Sequence, residues 1–150
     1  MTELGELYQE VVMAHGSRPR NFRRIEDAEK HSDGYNPFCG DMVSVFLKMD
    51  EGRITDAAFV GKGCAISKAS ASIMTEAVKG KTVEEAQEIF ESFHKMVTRG
   101  PGGKYEVDGL GELEVLAGVA EFPTRVKCAV LAWHTLKAAL KDEGGTVSTE

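Results

Sequence analysis

Asp41-Met-Val-Ser-Val-Phe-Leu-Lys-Met49, then Asp50-Glu-Gly-Arg53, then Ile54-Thr-Asp-Ala-Ala-Phe-Val60 is the stretch that decides the fold of this chain. In the first run Val43, Val45 and Leu47 alternate with Ser44, Phe46 and Lys48, the period of two that sends one set of side chains to each face of a strand. The third run alternates again, and the Asp-Glu-Gly-Arg segment between them has turn composition. Together they predict a β-hairpin.

Outward from the hairpin the period becomes helical. Leu4, Leu7, Tyr8, Val11 and Val12 mark an amphipathic helix over residues 3–15, with Gly16 just past its end. Downstream, Ile66, Ala69, Ile73, Ala77 and Val78 form the stripe of a helix that starts near Ile66 and stops at Lys79-Gly80. Thr82 and Glu85 make a capping-box pattern for a third helix, with the stripe Val83, Ala86, Phe90, Phe93 and Val97. A last helix is predicted from Thr124 to Lys141, with Ala129, Trp133, Leu136 and Leu140 facing inward. Residues 16–40 read as loop with one short strand. Residues 100–118 hold six of the sixteen glycines and read as a flexible loop followed by a short helix at Leu110–Leu116. The expected architecture is α+β: a single domain over residues 1–141, with a small antiparallel sheet of about three strands packed against about five helices, and a flexible tail at 142–150.

Composition narrows the function. The 150 residues suffice for one core, and 42% hydrophobic with 28% charged residues is ordinary for a globular chain. A net charge of −6 argues against a general nucleic-acid or anionic-membrane binder. No apolar run approaches the ~18 residues that span a bilayer. Met-Thr-Glu-Leu-Gly-Glu at the start has neither a basic nor an apolar export region, so a reducing cytoplasm is the expectation.

Three cysteines are too few, and odd in number, for a disulfide framework. Cys39 lies in Asn36-Pro-Phe-Cys-Gly-Asp41, on a turn before the first hairpin strand. Cys64 lies in Gly61-Lys-Gly-Cys64, between a strand exit and a helix start, and Cys128 in Pro123-Thr-Arg-Val-Lys-Cys128, near the start of the last helix. All three sit at element ends rather than within an apolar stripe, which suits a convergent site better than core filling. Asp41 alone reads as a turn or cap residue, yet it could add an oxygen to the thiols. Three thiolates and one carboxylate complete a tetrahedral Zn²⁺ set. Widely separated single cysteines leave buried thiols and thiol chemistry open as alternatives.

The other candidates are weaker. His134 follows Cys128 by six residues, roughly 240° round a helix, and so faces elsewhere. His15 and His94 read as surface residues, and His31 is the one histidine placed to take a minor part. Neither a Cys–His nucleophile pair, a P-loop nor a dinucleotide fingerprint is present. Ser67, Ser70 and Ser72, interleaved with alanines, read as a closely packing helix face.

At these residues the sequence resembles the U-type iron–sulfur cluster assembly family. The motifs are Asn36-Pro-x-Cys-Gly-Asp41, Gly63-Cys64 with its Ala/Ser-rich helix, Thr75-Glu-Ala-Val-Lys-Gly-Lys-Thr82, and Arg125-x-Lys-Cys128-Ala-x-Leu-Ala-Trp133. The resemblance extends from the first helix to about Lys141 and implies the family's α+β fold. Scaffold members carry a histidine immediately before the third cysteine. Lys127 stands there in this chain, and the Gly-rich segment at 100–118 looks like the extra loop of the SufU-like branch. That branch implies a zinc-dependent sulfurtransferase working with a SufS-like, pyridoxal-phosphate cysteine desulfurase and feeding the downstream cluster-assembly machinery. By the same resemblance Cys39, Asp41, Cys64 and Cys128 match zinc ligands.

Four anionic ligands leave a zinc site doubly negative, and Lys62, Arg125 and Lys127 flank the ligand segments where they could offset it. Coordination keeps thiols deprotonated, so release of one would expose a nucleophile without a separate base. Cys39, on the Pro/Gly turn, is the expected sulfur acceptor. The alternative expectation is a scaffold on which a [2Fe-2S] cluster is transiently built.

Overall fold

The structure is a computed structural model that describes residues 3–37, 40–99, 110–141 and 146–148. Helix α1 (Glu3–Ser17) leads to strands β1 (Lys30–Asn36), β2 (Asp41–Asp50) and β3 (Arg53–Lys62). Helices α2 (Ala65–Val78) and α3 (Val83–Thr98), a 3₁₀ helix (Gly111–Glu121), α4 (Pro123–Leu140) and a short strand β4 (Thr146–Ser148) follow. The sheet order is β3-β2-β1-β4. β2 pairs antiparallel with both β1 and β3, while β4 runs parallel to β1 beside Asp33–Tyr35. Part of the stretch expected to be a tail thus adds a strand to the sheet edge. The short helix expected at Leu110–Leu116 is instead a 3₁₀ helix that continues to Glu121.

The hairpin forms as its alternation predicts. Asp50 pairs with Arg53 across a two-residue loop, and Glu51 (φ 51°) and Gly52 (φ 77°) take the two left-handed conformations such a loop requires. Val43, Val45, Leu47, Ala57 and Phe59 point into the main core beneath the helices. Phe46, on the face read as outward, is also buried, packing with Ala58 and Ile25 in a second, smaller cluster. The polypeptide between α1 and β1 crosses that face, and Arg24 lies over the Phe46 ring at 5.2 Å. The sheet is therefore covered on both sides at this point, which period-two patterning cannot reveal.

The helices seal the other face. Both reciprocal bonds of the Thr82–Glu85 capping box are made, at 3.1 and 3.0 Å. Phe93 of α3 stacks on Trp133 of α4 with ring centroids 5.0 Å apart. The serines of α2 are buried as expected, and Ser70 donates to the Ala129 carbonyl at 2.6 Å and accepts from Trp133 Nε1 at 3.2 Å. Close approach of α4 to β1 depends on Gly34, where a Cβ would fall 2.0 Å from Thr135 Oγ1. Among the described residues no helix is long and apolar enough to cross a membrane.

A candidate metal centre at the end of the sheet

Three elements deliver Asp41, Cys64 and Cys128 to one point. Asp41 opens β2 and is buried. Cys64 follows the exit of β3 and is the N-cap of α2, its sulfur accepting a hydrogen bond from Ser67 N at 3.4 Å. Cys128 lies in the second turn of α4 and is buried at the edge of the main core, so it packs as a hydrophobe while still facing the site. One ligand atom from each of the three falls within 4.8 Å of the other two. Asp41 Oδ1 accepts from Cys64 N at 3.1 Å, and Asp41 Oδ2 lies 3.8 Å from Cys64 Sγ.

This approach depends on Gly63. A Cβ there would lie 2.5 Å from Asp41 Oδ1. The glycine before Cys64 therefore makes room for the carboxylate that the next residue's N–H binds.

Zinc–sulfur bonds of about 2.3 Å in a tetrahedron set ligand atoms roughly 3.8 Å apart. A gathering of two sulfurs and a carboxylate oxygen within 4.8 Å comes within about an ångström of that spacing. Without a metal the two thiols share a proton unequally. The hydrogen bond from Cys128 to the Cys64 sulfur is the main cause that lowers the Cys64 thiol to about 6, against the opposing effects of burial and Asp41. The same bond, with burial and the Asp41 and Cys64 charges, pushes Cys128 up. In the metal-free protein Cys64 should therefore be alkylated at a rate that climbs through about pH 6 and is level by pH 8. Cys128 should stay unmodified until the chain is denatured. Peptide mapping of iodoacetamide adducts against pH checks both, and equal labelling of the two thiols at pH 7 would contradict this proton sharing.

Cys39, the remaining thiol of the expected set, lies outside the described residues. The chain on both sides of it is placed: Asn36 and Asp41 are the last paired residues of β1 and β2, and Gly40 N donates to the Asn36 carbonyl at 2.8 Å. Two peptide units separate the Cα atoms of Cys39 and Asp41, at most ~7.6 Å.

A groove of about 830 Å³ opens beside the two described thiols. Val12 and Met13 of α1 form one wall, and Arg125 and Lys127 lie on its lining with Cys64 and Cys128. Among the described residues no acidic side chain lines it, although the chain carries 24. The Arg125 guanidinium lies over the Phe122 ring at 5.0 Å. Two of the three cations singled out in the sequence are thus beside the thiols. Buried Asn36, also on the lining, drew attention only as part of its motif, and the contribution of α1 carries no local sequence signal.

The histidines divide differently from expectation. His31 is exposed on the outer sheet face, 3.0 Å from Asp33 Oδ1 and stacked on Phe46, and is not part of the cluster. His15, expected at the surface, is buried: Nδ1 is 2.6 Å from Ser72 Oγ, and Nε2 is 3.4 Å from Glu112 Oε2. It pins the end of α1 to α2 and to the 3₁₀ helix, a role set by elements far apart in sequence. His94, also expected at the surface, is half-buried.

Comparison with known proteins places the chain in a family. The chain is 45% identical over 141 residues to the iron-sulfur cluster assembly scaffold protein IscU of Streptococcus pyogenes serotype M1, covering 94% of this chain and 87% of that protein. It is 43% identical over 145 residues to the zinc-dependent sulfurtransferase SufU of Bacillus subtilis (strain 168), covering 95% of each. The crystal structure of FiSufU from Fervidobacterium islandicum AW-1 superposes with a TM-score of 0.82 at 36% identity, over 90% of this chain and 97% of that one. Residues 7–129 match the family model for the NifU-like N terminal domain. That span holds the hairpin, the glycine-cleared approach to Asp41 and all three cysteines, so the chain belongs to the NifU-like N-terminal domain family, the iron–sulfur cluster assembly family of IscU and SufU.

Proposed function

We propose that this protein is a zinc-dependent sulfur acceptor that receives persulfide sulfur from a pyridoxal-phosphate cysteine desulfurase in a bacterial cytoplasm and passes it to iron–sulfur cluster assembly. The observation that carries the reading is the convergence of Asp41, Cys64 and Cys128 within 4.8 Å, with Asp41 two residues from Cys39 along the chain. Cys39, Asp41, Cys64 and Cys128 would hold the ion. Bound zinc would keep the thiols as thiolates at neutral pH.

The chain's own groups do the rest. Cys64 is held at a helix N-terminus and Cys128 is packed into the core, which leaves Cys39, on the Pro/Gly stretch of sequence between Asn36 and Asp41, as the thiol assigned to leave the set. Its thiolate attacks the outer sulfur of the donor persulfide. An S–S bond forms to Cys39, the donor's S–S bond breaks, and its electron pair departs with the donor cysteine as a thiolate that takes up a proton. Arg125 and Lys127, beside the groove, favour approach of the anionic persulfide. Lys127 in place of the histidine of scaffold members also supports the sulfur-acceptor reading.

Labelled sulfur from a desulfurase tests the assignment. Cys39→Ala should accept none, while Cys128→Ala, if it folds, should lose zinc and keep some acceptance on Cys39. Acceptance by Cys39→Ala would remove Cys39 from the role. The second reading, a scaffold for a [2Fe-2S] cluster, is favoured by the name of the Streptococcus pyogenes relative. Metal analysis separates the two: about one zinc and no sulfide supports acceptance, whereas iron with stoichiometric sulfide supports the scaffold.

A further inference from the structure

Away from the thiols, α3 and α4 bring two imidazoles together. The rings of His94 and His134 have centroids 5.7 Å apart, with their planes at 75°. Phe90, one turn before His94, touches both: its ring is parallel to His94 at 5.8 Å and edge-on to His134 at 5.4 Å. Both histidines are half-buried, and the two helices are locked at this level by the Phe93–Trp133 stack. Among the described residues no hydrogen bond reaches a nitrogen of either ring.

We propose that His94 and His134 form a bis-imidazole site for a borderline first-row divalent ion, Ni²⁺, Cu²⁺ or Zn²⁺, separate from the thiol–carboxylate centre. Imidazole nitrogen suits these ions, and water fills the other coordination positions. Two metal–nitrogen bonds of ~2.0–2.1 Å, with half a ring beyond each, set the centroids roughly 5–6 Å apart. The observed 5.7 Å falls in that span. A shared aromatic platform on two packed helices restricts both rings, so little ordering remains when the ion binds. Lys137, with Nζ 5.5 Å from the Phe90 centroid, opposes a cation here. The exposed carboxylate of Glu91, which lines a small cavity with Phe90 and Lys137, acts in the other direction. The site offers no sulfur, so it selects ions by imidazole chemistry.

The test is a calorimetric titration of Ni²⁺ into untagged protein loaded with a single equivalent of zinc, which the thiol–carboxylate centre takes in preference to two imidazoles, with zinc content measured before and after. One equivalent of Ni²⁺ should bind without releasing zinc. Loss of even an outer-shell partner of a metal ligand weakens binding about 10–100-fold. His94→Gln and His134→Gln should therefore each weaken Ni²⁺ by at least about tenfold, and His31→Gln should not. The two variants lie on different helices, and circular dichroism shows which are folded. The proposal is overturned if Ni²⁺ does not bind, if it binds only by displacing zinc, or if a folded variant of either histidine binds it as the parent does.

Discussion

Stripped of metal, the protein is expected to stay folded and to melt roughly 10 °C lower. An ion that binds only the folded chain stabilises it by about 4 kcal/mol when free zinc is 1,000-fold above its dissociation constant. For a chain of this size each kcal/mol moves the midpoint by roughly 2–4 °C. The fold should survive because its core meets the site only at one edge, through Cys128. Trp133, Phe59, Phe93, Leu47 and Leu131 are fully buried among the sheet and helices. Asp41 is also held by the Cys64 N–H, a bond made within the chain itself. The loss should appear first where the ligands lie, at the start of β2 and the start of α2. Thermal circular dichroism of zinc-loaded and chelator-treated protein measures the shift, and hydrogen exchange locates it. A random-coil spectrum after chelation would mean that the core alone cannot hold the chain.

Gly61→Ala is expected to destabilise the protein by about 3 kcal/mol, the upper part of the range for overpacking, and to lower metal affinity as well. A Cβ at this position would lie 2.2 Å from the Met42 carbonyl oxygen and 2.9 Å from Val43 Cα. Both atoms are backbone, so no rotamer change can relieve the contact, and β2 must move away from β3. The displaced end of β2 is the one that carries Asp41. Gly61→Ala should therefore act on both properties, unlike a core truncation remote from the site. Denaturant midpoints and competitive zinc titration of the two proteins measure these effects. Unchanged values for both would show that the strands can slide apart without consequence.

Much of the molecule was legible in its sequence because the signals involved are local. The hairpin was written in the alternation of residues 43–60 and in Glu51-Gly52, and the third helix in Thr82 and Glu85. The candidate ligands stood out because polar-flanked cysteines at element ends have no packing reason to be there. Cys128 shows the limit of that argument, since it faces the site and also packs in the core.

What only the tertiary structure decided concerns neighbours brought from far along the chain. Phe46 reads as outward by period, yet it is buried because the polypeptide before β1 folds back across that face. His15 ends an amphipathic helix like any surface residue, and only the approach of Ser72 and Glu112 makes it an internal pin. Gly61 and Gly63 look alike in sequence. One is required by the β2 backbone and the other by the Asp41 carboxylate, because a missing Cβ matters only through what approaches it. The sequence determined which side chains could meet a metal; the distance between them follows from packing α2 and α4 against the sheet, a sum of contacts that no local pattern encodes.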